Sequence, residues 1–392
     1  MSSKPRFVGE KVRVSDAFDL RMGKTPSRKN PAYWRDGGHD WVSIADLGSF
    51  GKYVGVTKER INDLAISESG IKPAPANTVL MSFKLSLGKT SITTEPVYTN
   101  EAIMAFVDKG VYPVDASFMY HQCRAKDWTP GTNTAVMGKT LNKKTLGQAY
   151  VHLPALELQK MIAARLDFID EQIRASKSSA DKLEHLVKSR FVEMFKGYVR
   201  GGNTVALSEL CEFVTVGIAN AATHAYADDG IVMLRNLNVR ENYLDDSDLI
   251  KINPDFAAKY SKKTLKAGDI LVTRTGYPGI ACVVPEKYAG CQTFTTLIAR
   301  LKSDAQIIPL FLSFWINSPV GKEFVERMKA GSSQQNFGAT SLKLLEVPLP
   351  PLSLQQEFAA FVSQVDKSRF IAQQQIEKLQ KLNAPGDTYA AN

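Results

Sequence analysis

From Ile162 onward, apolar residues recur at alternating spacings of four and three, through Leu166, Ile169, Ile173, Ser176, Ala180, Leu183, Val187, Arg190 and Met194, with eight of the ten positions apolar. That period keeps one stripe of a helix facing a partner helix, and it predicts a coiled-coil segment. Moved by 196 residues, the same phase returns as Phe358, Val362, Val365, Arg369, Ala372, Ile376 and Leu379, six of seven apolar. A single heptad helix is marginal in water, so the two are expected to pack against each other, against a partner, or both. With a globular segment between them, the compact solution is an antiparallel pair.

Each helix is preceded by a matching linker: residues 153–159 read Leu-Pro-Ala-Leu-Glu-Leu-Gln and residues 349–355 read Leu-Pro-Pro-Leu-Ser-Leu-Gln. Pro154 and Pro351 stand where a missing N–H is tolerated, and Gly197 with Gly201 and Gly202 predicts the end of the first helix. The segments upstream of the two helices also match in order, with 41–47 falling on 233–239, 77–80 on 269–272, 103–105 on 297–299 and 145–146 on 341–342. Such nearly constant offsets imply two copies of one fold. Short β-rich runs at 79–83, 103–107, 231–237, 270–275, 281–284 and 295–301 alternate with Gly and Pro turns, and helix is predicted at 118–123, 311–316 and 323–330. The fold class is therefore α+β: two tandem α+β domains, separated and followed by long antiparallel coiled-coil helices, in a pseudo-twofold repeat. The expected bounds are 1–152 and 201–347 for the domains, 153–200 and 348–384 for the helices, and 385–392 for a tail.

Composition narrows the class without deciding it. A hydrophobic content of 44% and a charged content of 23% are those of a soluble globular chain, and no run of about eighteen apolar residues or signal-peptide core occurs, which predicts a cytoplasmic address and no membrane contact. Cys123, Cys211, Cys282 and Cys291 form no C-x-x-C pair, so they are expected to be buried and inert. The net charge is +9, and it is uneven: residues 1–150 hold 21 Lys and Arg against 14 Asp and Glu, whereas residues 201–392 hold 19 against 19. A polyanionic partner suits the first half. In the second half a phosphate-facing surface needs local clustering, as at Lys259, Lys262, Lys263 and Lys266, which equally suit a solvated turn.

Catalytic motifs are missing. Gly23-Lys24-Thr25, Gly88-Lys89-Thr90 and Gly138-Lys139-Thr140 resemble the end of a phosphate-binding loop, but the required earlier glycine is replaced by Phe18, Phe83 and Asn133. No G-x-S-x-G, H-E-x-x-H or Asn-Pro-Pro-Tyr run is present, and Asp228-Asp229 and Asp245-Asp246 lie in polar turn sequence. The chain therefore reads as a binder, not an enzyme.

The linker and helix starting at Val347-Pro348-Leu349-Pro350-Pro351-Leu352-Ser353-Leu354-Gln355-Gln356, the opening Gly23-Lys24-Thr25-Pro26-Ser27-Arg28 through Tyr33-Trp34 to Trp41-Val42-Ser43, and the run 266–274 together give nearly the whole chain a likeness. It resembles the specificity subunit of type I restriction-modification enzymes. Ala155 departs from the second linker proline common there, and Ile218-Ala219-Asn220 departs from the Thr-Pro-Ser opening. The resemblance implies two target-recognition domains, each reading half of a split, asymmetric site in double-stranded DNA, with the helices as spacers and docking faces for two modification (methyltransferase) subunits. It also implies restriction (motor-nuclease) subunits as further partners, with S-adenosylmethionine, ATP and Mg on the partners and no cofactor in this chain. A standalone nucleic-acid-modifying enzyme and a non-specific coiled-coil scaffold are the alternatives.

Base edges are read by Arg, Asn and Gln, while Lys and backbone amides mostly hold phosphate. The candidate contacts are Lys24, Thr25, Arg28, Lys29, Ser43, Lys84, Lys89 and Asn133 in the first domain. In the second they are Arg235, Asn236, Arg240, Lys262, Lys263, Arg274, Thr275, Tyr277, Gln334, Gln335 and Asn336. Ser43 and Arg235 fall opposite each other in the repeat, so Arg235 is the sharpest expectation for a guanine reader. Tyr33, Trp34 and Trp41 fit loop anchors better than base-stacking residues. The coiled-coil faces are expected to leave Phe168, Leu186, Phe191 and Phe195 outward for partner subunits.

Overall fold

The computed structural model describes residues 9–84, 86–128, 133–135, 138–199, 204–219, 223–330 and 337–383. The chain divides into two compact units, Met1–Ser178 with Gln373–Asn392, and Ser179–Ala372. In the first unit, Phe18–Met22, Ile103–Asp108, Val79–Ser82 and Thr90–Ile92 pair in that order as an antiparallel sheet. A second sheet joins Glu59–Ile61 to His39–Val42, which runs parallel to Tyr98–Thr99. A ribbon of Glu10–Arg13 with Tyr150–Leu153 closes the unit beside its linker.

The second unit repeats all three sheets. Its antiparallel sheet is Cys211–Val216, Leu297–Leu301, Ile270–Val272 and Ala281–Val283. Its mixed sheet is Ile250–Ile252, Tyr226–Arg235 and Gln292–Phe294, the last two parallel. Its ribbon is Thr204–Ala206 with Glu346–Pro348. This is the α+β duplication read from the sequence.

The central strands are apolar without alternation because both faces are covered. Val79, Met81, Met104 and Phe106 enter a core shared with Phe118 and with Ile162, Ala163 and Leu166 of the long helix, whereas Leu80, Ile103 and Ala105 face a second core around Val42. Successive side chains of a strand point to opposite faces, so one run feeds two cores. Ile270 and Val272 against Leu271 repeat the division in the second unit. Gly23 and Gly217 are required by close approach: a Cβ there would lie 2.2 Å from the Thr99 carbonyl oxygen and 2.4 Å from that of Thr293.

The helical stretches predicted at 311–316 and 323–330 belong to two helices, Pro309–Asn317 and Pro319–Ala330, since Pro319 cannot continue the first and instead opens the second. The long helices are Leu156–Val199 and Leu352–Asn383. Gly197 does not end the first one; a single glycine costs a helix only about 1 kcal/mol, which flanking packing overrides. Within the second unit the pair is antiparallel, because Glu184 meets Arg369 whereas Arg190 meets Glu357. Along this pair Val187, Phe191 and Phe195 share a core with Phe358, Val362 and Val365. In the first unit Ile169 and Ile173 cluster with Ile376 and Leu379.

Two of the four outward aromatic and aliphatic positions expected on the helices are instead interior. Phe195 is fully buried and Phe191 nearly so, with ring centroids 4.8 Å (Phe195) and 5.7 Å (Phe191) from Phe311. The heptad stripe of this helix is widened there by a second apolar stripe that serves the domain core. Phe168 and Leu186 are exposed as expected.

The glutamine that ends each linker motif is fully buried. Gln159 Nε2 donates to the carbonyls of Pro113 and Pro154, both at 2.8 Å, and its Oε1 accepts from the Asp115 N–H at 2.9 Å. Gln355 does the same with Gln306 (3.1 Å), Pro350 (2.8 Å) and the Ile308 N–H (2.9 Å). The Ala155 departure leaves the first helical turn unchanged, since Gln159 donates its N–H to Ala155 as Gln355 does to Pro351.

Among the described residues no helix is long and apolar enough to cross a membrane. The four cysteines are free and buried, and burial pushes the Cys211 and Cys282 thiols up to about 12. His121 is 4% exposed and bonds Asp167 of the long helix at 2.9 Å. Burial lowers its pKa despite the raising effect of that carboxylate.

Replacing Gln355 by Leu strands one N–H and two carbonyls, which is expected to cost about 3 kcal/mol; calorimetric melting as stable as wild type would sink the clamp. Val365→Asp places a charge in the second unit's core and is expected to cost several kcal/mol, roughly 3 or more, while Ile169→Asp disturbs only a four-residue cluster and costs less. Equal losses of melting temperature would contradict this. For His121 the unfolded chain binds the extra proton between the ordinary value near 6.5 and the lower folded value, so the first unit is expected to lose stability as pH falls below 6.5. Melting of wild type against His121→Gln between pH 7.5 and 5.5 checks it, with a flatter profile expected for the variant.

Candidate nucleic-acid interface

The polar loops at the ends of the two sheets are built on one frame in both units. Where the central strand Ile270–Val272 ends, the Thr273 hydroxyl donates to the Tyr277 carbonyl at 2.6 Å and accepts from the Ile280 N–H at 2.9 Å, while Gly279, at φ 90°, donates its N–H to the Thr273 carbonyl at 2.9 Å. In the first unit Ser82 takes the same part: its hydroxyl donates to the Ser86 carbonyl and accepts from the Lys89 N–H at 3.0 Å, and Gly88, at φ 82°, closes the turn. The next residue is tied down from outside. The Arg274 carbonyl accepts from the Phe337 N–H at 3.1 Å, and the Phe83 carbonyl from the Leu141 N–H at 3.0 Å.

The frame is shared and its side chains are not. Phe83 is buried, whereas Arg274 is half-exposed, its Nε is shielded without a hydrogen-bond partner, and its guanidinium has no partner among the described residues. Asn236 links this loop to the neighbouring strand, donating to the Thr275 hydroxyl at 2.7 Å and accepting from the Arg274 N–H at 3.4 Å. Asn236, Arg274, Thr275 and Tyr277 are thus brought together, with the Tyr277 ring 84% exposed.

Ser43 and Arg235 do occupy equivalent places, each capping a helical turn. Ser43 pairs reciprocally with buried Asp46, and the Arg235 N–H donates to buried Asn238 at 2.9 Å. The Arg235 guanidinium is engaged: it bridges the Asp248 carboxylate at 2.9 Å and donates to the Asp248 carbonyl at 3.0 Å. Arg240 pairs with Asp245, and Lys263 donates to the Gly217 carbonyl at 2.9 Å with Lys262 exposed beside it on the turn Ser261–Lys263.

In the first unit, Lys24 donates to the Ser69 carbonyl and Thr25 to the Glu101 carboxylate. Arg28 bridges Glu59 and lies 3.8 Å from the Trp34 ring centroid, and its hydrogen bond holds the Glu59 carboxyl below the usual range. Trp34 packs edge-on to buried Trp41, so these aromatics are loop anchors. Lys29 is exposed, Lys84 lies over the Phe83 ring, and Lys89 reaches across Gly48. Asn133 opens the short strand Asn133–Ala135. Gln334, Gln335 and Asn336 lie outside the described residues.

Sequence reasoning missed the anchors of this surface, Ser82, Thr273, Asp46 and Asn238. Their signal was available, since a hydroxyl six residues before a glycine recurs at 82–88 and 273–279. The chemistry on offer is recognition: an oriented guanidinium, amides and hydroxyls on fixed loops. Among the described residues no group of His, Cys, Asp and Glu is placed to hold a metal ion.

Comparison with known proteins agrees with a duplicated binder. The model of the type I restriction modification DNA specificity domain matches twice, over residues 9–185 and 201–381. The EcoBI specificity subunit of Escherichia coli is 25% identical over 305 residues, covering 69% of this chain and 63% of that protein. The MjaIX specificity subunit of Methanocaldococcus jannaschii is 25% identical over 191 residues, covering 47% and 42%. The matched part thus spans less than two thirds of these relatives' length. Among solved structures, the type I restriction-modification S subunit from M. genitalium superposes with a TM-score of 0.58 at 13% identity, covering 97% of this chain and 96% of that one. A chain from a structure concerned with complex assembly and conformational transition of the type I R-M system gives 0.59 at 15%, covering 98% and 97%. At these identities the likeness is one of fold.

Proposed function

The chain belongs to the type I restriction modification DNA specificity domain family, and from that premise we propose that it is the DNA-recognition subunit of a type I restriction-modification enzyme. Residues 1–152 and 201–347 each read one half of an asymmetric, bipartite target, and the helices 153–200 and 348–384 set the spacing and dock two modification subunits. Catalysis, with S-adenosylmethionine, ATP and Mg, belongs to the partner subunits. The observation that carries this reading is the loop frame repeated in both units with different side chains at matching places, Phe83 against Arg274 and Ser43 against Arg235. One frame with two sets of side chains suits two different short words, the two halves of a split target.

Within the second domain the ion pair to Asp248 makes Arg235 a positioning residue and leaves Arg274 as the guanidinium able to take the O6 and N7 acceptors of a guanine. Lys262, Lys263, Lys24, Lys29 and Lys84 suit phosphates. The candidate Asn236 is committed to its loop and serves to fix Arg274.

Co-expression with the modification subunit, followed by mapping of methylated adenines across a genome, is expected to return a single split motif; scattered or absent methylation would refute the reading. Arg274→Ala is expected to cost about 1–3 kcal/mol and to relax one position in one half of that motif. Arg235→Ala should weaken binding without changing the motif, and the opposite pattern would return Arg235 to the base-reading role.

A further inference from the structure

A cleft of about 360 Å³ opens in the first unit between the loops 48–52 and 88–90, the helix Ala116–Ala125 and residues 167–177 of the long helix. Five cations line it: Lys52, Lys89, Arg124, Arg174 and Lys177. Two are neutralised in place, Lys52 by Asp167 at 2.5 Å and Arg124 by Asp170 at 2.6 Å. Lys89, Arg174 and Lys177 form no salt bridge among the described residues; Arg174 only returns its Nε to the Asp170 carbonyl at 3.4 Å. Arg174 and Lys177 are three residues apart on one helix face, and Lys89 approaches from the loops opposite. Its Nζ passes close over Gly48, 2.5 Å from where a Cβ would stand.

In the second unit the corresponding place is lined by cations that acidic side chains balance. Asp366 stands where Asp170 stands, 196 residues on, and the space lined by Asp366, Arg369, Phe314, Glu241 and Glu184 is about 90 Å³. Arg369 and Lys188 meet Glu184 there at 3.9 and 2.9 Å, and Lys188 also meets Glu241 at 3.0 Å. An opening with an unbalanced positive wall is therefore a property of the first copy, the one whose segment 1–150 carries the excess of Lys and Arg.

We propose that this cleft grips the phosphodiester backbone of double-stranded DNA through Lys89, Arg174 and Lys177, as a sequence-independent contact beside the first reader. The inference rests on the reading of the chain as a DNA-recognition subunit and adds a site to it. Flexible lysine and arginine heads hold phosphate without reporting sequence, and a concave wall of one sign concentrates their field. DNA is favoured over an acidic protein partner because Lys89 closes the same Ser82 loop that carries the candidate contact Lys84, so an anion in the cleft is continuous with the reading surface.

The test uses the full chain assembled with modification subunits, comparing wild type with Lys89→Ala/Lys177→Ala and with Lys89→Arg/Lys177→Arg. Affinity for a target and a non-target duplex is measured over a salt series, and the methylated motif is mapped. The alanine pair is expected to weaken both duplexes by the same factor and to make the slope of log K against log salt shallower by about 2, one per removed cation, with the motif unchanged. The arginine pair is expected to restore slope and affinity. An unchanged slope overturns the proposal, as does an altered motif, which would make the cleft a base reader. Loss of subunit assembly with unchanged DNA affinity of the assembled fraction also overturns it, in favour of an acidic protein surface. A wild-type complex without target preference, but with the slope still falling in the alanine pair, upholds the cleft while overturning the recognition reading.

Discussion

Everything in each unit hangs on one buried amide. Gln159 and Gln355 sit where a domain ends and a long helix begins, and each joins three backbone groups that would otherwise be buried unpaired: the carbonyl of the linker proline, a second loop carbonyl, and the N–H at the start of a domain helix. An unsatisfied buried donor or acceptor costs about 1–3 kcal/mol, so the glutamine fixes the path by which the chain leaves the sheet and enters the helix. Only a side chain with both a donor and an acceptor at that reach can do so. The recurring Leu-Pro-x-Leu-x-Leu-Gln is thus a junction whose last residue is its functional part.

The junction also sets a common origin for what packs above it. Counting from the N–H groups that the two glutamines hold, Asp115 and Ile308, His121 matches Phe314 and Arg124 matches Asn317. In the first unit these positions meet the long helix through polar contacts, His121 hydrogen-bonded to Asp167 and Arg124 paired with Asp170. In the second, Phe314 lies 5.6 Å from Phe191 and 5.0 Å from Phe358, and Asn317 turns to Asn242 and the Ala281 carbonyl. Aromatic pairs of this kind add about 0.5–1.5 kcal/mol each beyond the area they bury, while the Arg124–Asp170 ion pair is partly exposed and screened by salt. The same frame therefore holds one unit by dry packing and the other by polar contacts.

How much of this was legible follows from what a linear pattern can carry. The helices, their pairing in the second unit and the duplication were legible, because heptad phase and offset are properties of spacing. Phe191 and Phe195 were misplaced because a heptad defines one stripe and says nothing of a second apolar stripe recruited by a neighbouring core. The stretches 311–316 and 323–330 were legible as helix, while the start of the second at Pro319 was not, because a proline suits a loop as well as a first helical turn. Arg235 and Arg274 look equivalent in sequence, each an arginine at the end of a β-rich run. Only folding brings Asp248 to the first and leaves the second without an acceptor among the described residues.

The uneven charge of the two halves then acquires a physical meaning that composition alone could not give. In the second unit the acidic side chains are spent close at hand: Asp248 on Arg235, Asp245 on Arg240, buried Asp269 on Arg300, and Glu241 on Lys188 and Lys322. Its neutrality is an internal balance that holds loops and helix contacts together. In the first unit Asp167 and Asp170 are spent in the same way, while Lys89, Arg174 and Lys177, which form no salt bridge among the described residues, share the walls of one opening. Charge left unbalanced in a cleft costs stability through self-repulsion unless an anion of matching geometry is bound. Lys89 comes from the basic segment 1–150 and Arg174 and Lys177 from the long helix, so the cleft gathers cations of both, and a bound polyanion would relieve their repulsion.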